Sequence, residues 1–248
     1  MTRMLAVLLL LLPLAACSDD DEQTLTVLAA ASLTETFIEL ADTIEQEHPG
    51  VEVELVFGSS TALAEQAVDG APGNILATAD EKSMEVAVDG GVTPQEPETF
   101  ALNELVIVTP PGNPANVTGL GSLAQPGVDW AKCVSSAPCG AVAETALAQR
   151  ASQAEPVTEE VDVRAVLARV VAGEVDAGLV YRTDALAAGN DVETVETGPA
   201  APSTIYEIST LDDSESASEF VQLVLGEAGQ TVLRDAGFQA PRIFGDVE

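Results

Sequence analysis

Hydrophobic spacing of two kinds alternates along the first half of the chain. Residues 25–29, Leu-Thr-Val-Leu-Ala, form a short β-rich run that predicts a strand. Over residues 34–47 the apolar positions Phe37, Leu40, Ala41 and Ile44 recur at helical spacing and predict an amphipathic helix. Val51, Val53, Leu55 and Phe57 then alternate with Glu52 and Glu54, the signature of a second strand over residues 51–57. A helix over 62–68, a strand over 74–78 and a helix through 83–88 complete a βαβαβα order. Such an order predicts a mostly parallel sheet with helices on both faces.

Beyond Pro94 the rhythm changes. Residues 102–108 read as a long apolar strand stopped by Pro110-Pro111, and a polar loop and a cysteine-bearing segment follow. Helices are expected over 141–150 and 163–172, a strand over 177–181 and an extended piece over 205–208. Terminal helices over 216–225 and 230–236 are expected to return and pack on the first unit. Two α/β units result, divided as 24–104 plus 206–248 for lobe I and 105–205 for lobe II. The fold class expected from this pattern is α/β.

The N-terminus sets the compartment. Arg3 precedes an apolar run from Leu5 to Leu12, too short to span a bilayer, which closes with Leu14-Ala15-Ala16-Cys17. This is the form of an export signal over residues 1–16, and its ending resembles the lipobox of bacterial lipoproteins, in which Cys17 is lipidated. The acidic residues that follow, within 17–23, form a tether, so the chain is expected outside the cytoplasm, lipid-anchored to the cell membrane. Once Cys17 is set aside, Cys133 and Cys139 remain in an oxidising compartment and close a small loop, as expected of a disulfide.

Charge changes the picture by exclusion. Nine Lys+Arg against 41 Asp+Glu give a formal net charge of -32, although 46% of residues are hydrophobic. Such a surface excludes nucleic acid, whose phosphates require Lys and Arg to displace counterions. His48, the one histidine, lies in the turn sequence Glu47-His48-Pro49-Gly50 and is expected at the surface. With no nearby histidine, the two cysteines make no metal site. A serine hydrolase fails on the same inventory, since no G-x-S-x-G elbow occurs either.

Four helix starts share one chemical character. Ala30-Ala31-Ser32-Leu33, Gly58-Ser59-Ser60-Thr61 and Pro138-Cys139-Gly140-Ala141 are free of charge and rich in small or hydroxyl residues; the fourth is Glu160-Val161-Asp162-Val163. Ligands in open α/β sheets sit beyond the carboxyl ends of the strands, where helix N-termini offer unpaired N–H groups. Together such starts can hold an anion without Lys or Arg. Each residue also has a plainer reading. Ser32 with Glu35 fits a capping box, Ser59, Ser60, Thr61 and Asp162 fit helix caps, and Tyr181 fits a half-buried packing position.

The stretches Leu25–Thr34, Phe57–Ala64, Gly70–Ile75, Ala79–Met84, Asp162–Leu167 and Gly178–Ala185, with the closing Ala236-Gly237-Phe238, together resemble the molybdate-binding proteins of ABC transporters. That resemblance implies the type II periplasmic-binding-protein fold, two α/β lobes with a ligand cleft between them, in a binding protein and not an enzyme, with no cofactor, closing on molybdate or tungstate. It places neutral ligand donors at Ser32, at Ser60 with Ser59 adjacent, at the backbone N–H groups of Cys139 and Val163, and at the Tyr181 hydroxyl. Asn74 stands where relatives often carry Asp, and Cys139 where a small residue is common. The implied partners are the oxyanion, a membrane permease and the membrane through Cys17, with the chain acting as a monomer. The lobes would hinge near 102–108 and 203–208. Sulfate or phosphate on the same fold, and a lipoprotein with no ligand, are the alternatives left open.

Overall fold

The computed structural model describes residues 23–149, 154–198 and 202–241. Cys17, the signal over 1–16 and nearly all of the acidic tether lie outside the described residues. The chain runs β1 (Gln23–Ala30), α1 (Thr34–Glu47), β2 (Val51–Gly58), α2 (Ser60–Val68), β3 (Ile75–Thr78), α3 (Glu81–Asp89) and β4 (Glu98–Thr109). It continues through β5 (Trp130–Cys133), α4 (Pro138–Gln149), β6 (Thr158–Glu160), α5 (Val163–Val171), β7 (Ala177–Tyr181) and α6 (Arg182–Ala188). The last elements are β8 (Glu193–Glu196), β9 (Ser203–Thr210), α7 (Glu215–Leu225) and α8 (Glu227–Asp235).

In the first unit β1 lies between β2 and β3, parallel to both. Alternate side chains of β1 enter opposite cores, as a two-sided sheet requires. Leu25, Val27 and Ala29 pack with Phe37, Leu40 and Ile44 of α1 and with Phe220 and Leu233 of the terminal helices. Leu28 points the other way, into a cluster with Leu63, Ala64 and Ala67 of α2 and Met84 and Ala87 of α3. The terminal helices thus return to the first unit as expected, and the Gln239 backbone pairs with Leu102.

The second unit repeats the plan, with β5 parallel to both β6 and β7. The sheets are less parallel than the βαβαβα order implies. β9 runs antiparallel to β3 and to residues 98–104 of β4, because it returns from the second unit in the opposite direction. From Leu105 onward β4 pairs instead with β7 and β8, again antiparallel. β4 therefore continues from one sheet into the other and, with β9, forms the crossing between them.

Other differences are local. α2 begins at Ser60 and α4 at Pro138, two and three residues before the expected starts. Ser60 and Thr61 sit in a first turn that tolerates hydroxyls, and proline is suited to the first helical position because it lacks the N–H that would go unpaired there. β6, α6 and β8 were not anticipated; each is short, and α6 starts directly from the end of β7 with no loop between them. His48 caps the end of α1 at the surface, its Nδ1 3.3 Å from Glu219.

Candidate functional site

A cavity of about 220 Å³, measured out to its mouth, opens where the carboxyl ends of strands from both sheets meet. Its wall is formed by Ala30 to Ser32 after β1, Gly58 to Ser60 after β2, Ala79 after β3, Ala137 to Cys139 at α4, Asp162 and Val163 at α5, and Tyr181 ending β7. All six residues singled out from sequence, Ser32, Ser59, Ser60, Cys139, Val163 and Tyr181, line it together. The space left for the centre of a water-sized sphere is only about 10 Å³, which suits a ligand of few atoms.

Each wall has a local cause. Ser32 lies in a 3₁₀ turn, Ala31–Leu33, that leads into α1, and its side chain caps neither helix. The capping-box alternative is thereby corrected: Ser32 Oγ lies 2.7 Å from the Tyr206 hydroxyl, and Glu35 reaches instead to Arg164 at 2.8 Å. Ser60 opens α2 and its Oγ accepts the Ala79 N–H at 2.9 Å, which leaves the serine proton free to donate elsewhere. Ser59 precedes it as the capping residue but makes no side-chain cap bond. Thr61 is no cap either, since its hydroxyl donates to the Ser136 carbonyl at 2.7 Å and ties α2 to the loop before α4. Asp162 does cap: its Oδ1 accepts the Ala165 N–H at 2.9 Å.

The α4 wall depends on a disulfide and a glycine. Cys133 and Cys139 are bonded, their Cα atoms 5.7 Å apart, so the end of β5 is tied to the first turn of α4. A Cβ on Gly140 would stand 2.0 Å from the Val134 carbonyl oxygen, a contact only glycine avoids. Pro138 has no N–H, and the Gly140 and Ala141 N–H groups both donate to the Ala137 carbonyl. The first N–H that this helix start can offer a ligand is therefore that of Cys139.

Tyr181 is the residue whose surroundings point most directly to a ligand. It is 1% exposed, its ring centroid is 6.1 Å from that of Tyr206, and its hydroxyl has no hydrogen-bond partner among the described residues. The neighbouring Thr204 hydroxyl gives its proton to the Ala79 carbonyl. Burial, aided by Tyr206, Asp80 and Asp184 and opposed by the nearby Thr204 hydroxyl, which does not meet hydrogen-bond geometry, pushes the Tyr181 pKa well above the ordinary tyrosine value, so it remains an O–H donor. Buried hydroxyls are normally paired, and Tyr181 lines a cavity in which a bound ligand can supply the acceptor.

Among the described residues no Lys or Arg lines the cavity. Arg164, one residue beyond Val163, turns away to Glu35 and lies 3.9 Å from Asp184. Asp184 is buried and accepts the Tyr181 N–H at 3.1 Å, closing a capping box at the start of α6. Burial raises its pKa to about 7 against the opposing pull of Arg164. These supporting residues, with Asn103 and Tyr206 behind Ser32, were not found from sequence. Their positions on β4, α5, α6 and β9 show no spacing that distinguishes them from ordinary packing residues. Among the described residues no group of three or more His, Cys, Asp or Glu is placed to hold a metal ion, and no helix is long and apolar enough to cross a membrane. Asn74 lies outside the cavity and bonds the Thr26 N–H and Asp212.

Residues 25–239 match the family of bacterial extracellular solute-binding proteins. The chain belongs to that family. It is 34% identical over 222 residues to the molybdate-binding protein ModA of Mycobacterium tuberculosis H37Rv, covering 88% of this chain and 85% of that one. It is 30% identical over 227 residues to the putative ABC transporter substrate-binding lipoprotein YvgL of Bacillus subtilis, covering 88% and 86%. Among solved structures, the Azotobacter vinelandii periplasmic molybdate-binding protein superposes with a TM-score of 0.78 at 24% identity, over 88% of this chain and all of that one. The type II periplasmic-binding-protein fold follows, as does the placement of the chain outside the cytoplasm as an extracellular solute-binding protein.

Proposed function

We propose that the protein captures molybdate or tungstate outside the cell membrane and delivers it to an ABC permease, held at the membrane by a lipidated Cys17. The observation that carries this reading is the Tyr181 hydroxyl, buried without a partner among the described residues, beside a cavity where four helix starts converge and no described cationic side chain enters. A tetrahedral dianion supplies acceptors on every side. The Ser32, Ser60 and Tyr181 hydroxyls and the Cys139 and Val163 N–H groups would each donate to it, with Ser59 adjacent. Hydrogen bonds to an ionised group are stronger than neutral ones, so a dry neutral cage is sufficient. The 34% identity to a molybdate-binding protein favours molybdate over sulfate or phosphate.

Lobe I, residues 24–104 plus 206–248, and lobe II, residues 105–205, would close on the anion about β4 and β9, the strands that cross between the sheets. The chain works as a monomer and performs no chemistry on its ligand. The test is thermal unfolding of the mature domain, lacking Cys17, with molybdate, tungstate, sulfate and phosphate. A ligand that binds the folded state alone raises stability as RT ln(1 + [L]/Kd). Stabilisation by molybdate and tungstate is expected. Stabilisation by sulfate or phosphate alone replaces the ligand, and none with any of the four removes the oxyanion reading.

A further inference from the structure

Behind the cavity, three buried polar side chains fix the direction in which one proton points. Asn103 is 1% exposed, and its Oδ1 accepts the Glu104 N–H at 2.9 Å. A backbone N–H can only donate, so the orientation of the Asn103 amide is settled. Its Nδ2 then faces Thr183 Oγ1 at 2.8 Å and Tyr206 Oη at 3.4 Å. The Tyr206 hydroxyl is fully buried and has two polar neighbours at bonding distance: this donor nitrogen, and Ser32 Oγ at 2.7 Å. Only Ser32 Oγ can accept the tyrosine proton among the described residues. Burial also holds the Tyr206 pKa far above the ordinary tyrosine value, so that proton is always present.

Ser32 carries one proton of its own. Because Tyr206 donates to its oxygen, that proton points away from Tyr206, and Ser32 lines the cavity. The reverse arrangement would strand the tyrosine proton without an acceptor and turn a serine lone pair toward the ligand, where an oxyanion would meet repulsion. We propose that Asn103 and Tyr206 are positioning residues that lock Ser32 as a hydrogen-bond donor into the cavity. The inference rests on the oxyanion reading above and deepens it, since it names two residues, neither lining the cavity, that set affinity through a third.

A double-mutant cycle by isothermal titration with sodium molybdate, or with whichever of the four anions the wild type binds most tightly, tests it. Tyr206→Phe keeps the ring, whose edge-on contacts with Phe100, Tyr181 and Phe238 at 5.9, 6.1 and 5.2 Å hold the core. The expected result is a roughly tenfold loss of affinity in Tyr206→Phe, the scale of one charge-assisted hydrogen bond. In a Ser32→Ala background the same change should cost less than about twofold, because the hydroxyl it orients is gone. Asn103→Ser is the second variant. It removes the amide, leaves the tyrosine oxygen free to accept from Ser32, and should weaken binding several-fold only while Ser32 is present. Equal losses with and without the serine, or no loss in either variant, overturn the relay while the anion reading stands. A wild-type protein that binds none of the four anions overturns both.

Discussion

Removing one oxygen atom from Tyr181 should separate binding from folding. Among the described residues the hydroxyl has no hydrogen-bond partner, and the ring packs against Tyr206 in a way that phenylalanine reproduces. Tyr181→Phe should therefore leave the ligand-free protein at least as stable as wild type. Binding should respond quite differently. A hydrogen bond to a charged group contributes about 1.5–3 kcal/mol, so affinity for molybdate should fall roughly 10- to 150-fold. At a molybdate concentration of about 100 times the wild-type Kd, the ligand stabilises wild type by about 2.7 kcal/mol. With Kd raised roughly 30-fold, the same concentration gives about 0.9 kcal/mol. In a domain of this size, where 1 kcal/mol is worth roughly 2–4 °C, the molybdate-induced shift in Tm should drop from roughly 5–11 °C to roughly 2–4 °C. Differential scanning fluorimetry with and without molybdate reads both quantities in one experiment. A variant whose ligand-free Tm falls while its molybdate shift persists would refute the argument, because the hydroxyl would then be serving the fold.

Three further outcomes follow from the surroundings of the cavity. Asp184 has a native pKa raised to about 7 from 3.8, with burial as the main cause, Arg164 and the Tyr181 N–H opposing, and Glu35 and Asp162 adding to it. The native state keeps this proton where the unfolded chain has lost it, so between those values the group's contribution to stability declines as pH rises, by up to about 1.4 kcal/mol per unit. Urea unfolding at pH 5 and 7.5 should show that slope in wild type and its disappearance in Asp184→Asn; equal slopes would refute the assignment. Replacing Cys133 and Cys139 by serine should cost about 2 kcal/mol for a loop this short, and should weaken anion binding by releasing the Ala137–Cys139 wall. Unchanged affinity would mean that the wall holds without the bond. Gly140→Ala, which forces a Cβ against the Val134 carbonyl, should destabilise the fold by more than about 2 kcal/mol by chemical denaturation. Gly121→Ala, with open space around it, is the control and should stay within about 0.5 kcal/mol.

How much of this was legible in the sequence depended on whether a residue's role is local. The bounds of α1 and β7 could be read directly, because the stripe of Phe37, Leu40, Ala41 and Ile44 and the apolar run before Tyr181 are local signals. The cavity wall was legible too, since helix starts rich in serine, glycine and small residues are short sequence patterns. What stayed hidden was set by long-range pairing. β9 inserts between β3 and β4 although more than a hundred residues separate it from β3, and nothing in Ile-Tyr-Glu-Ile specifies those neighbours. The plain alternatives also resolved residue by residue. Asp162 is a cap, whereas Ser32 is not, because Tyr206 arrives from β9 to bond its hydroxyl and Arg164 arrives from α5 to draw off Glu35. A capping box can be spelled correctly in sequence and still be dismantled by partners from elsewhere in the fold.

A chain with a net charge of -32 is an odd vessel for a dianion, yet the proposed capture does not put the two in conflict. Long-range repulsion acts mainly on the rate of encounter and is screened within about 8 Å at physiological ionic strength. Affinity is decided inside the cavity, where the charged side chain among the described lining residues, Asp162, uses Oδ1 to accept the Ala165 N–H and the candidate donors are neutral. A lysine or arginine in that wall would attract any anion, protonated or not, and would carry its own desolvation cost on closure. Fixed N–H and O–H groups have no such indifference, since each needs an acceptor in its own direction. Arg164 marks the distinction most clearly. It stands one residue from a wall position, yet its guanidinium is spent on Glu35 and held near Asp184, so its charge is used to fasten the two halves behind the cavity while no described cationic side chain enters the cavity itself. Selectivity for a fully ionised tetrahedral anion then comes from the geometry of donors, and the acidity of the rest of the surface is free to vary without touching it.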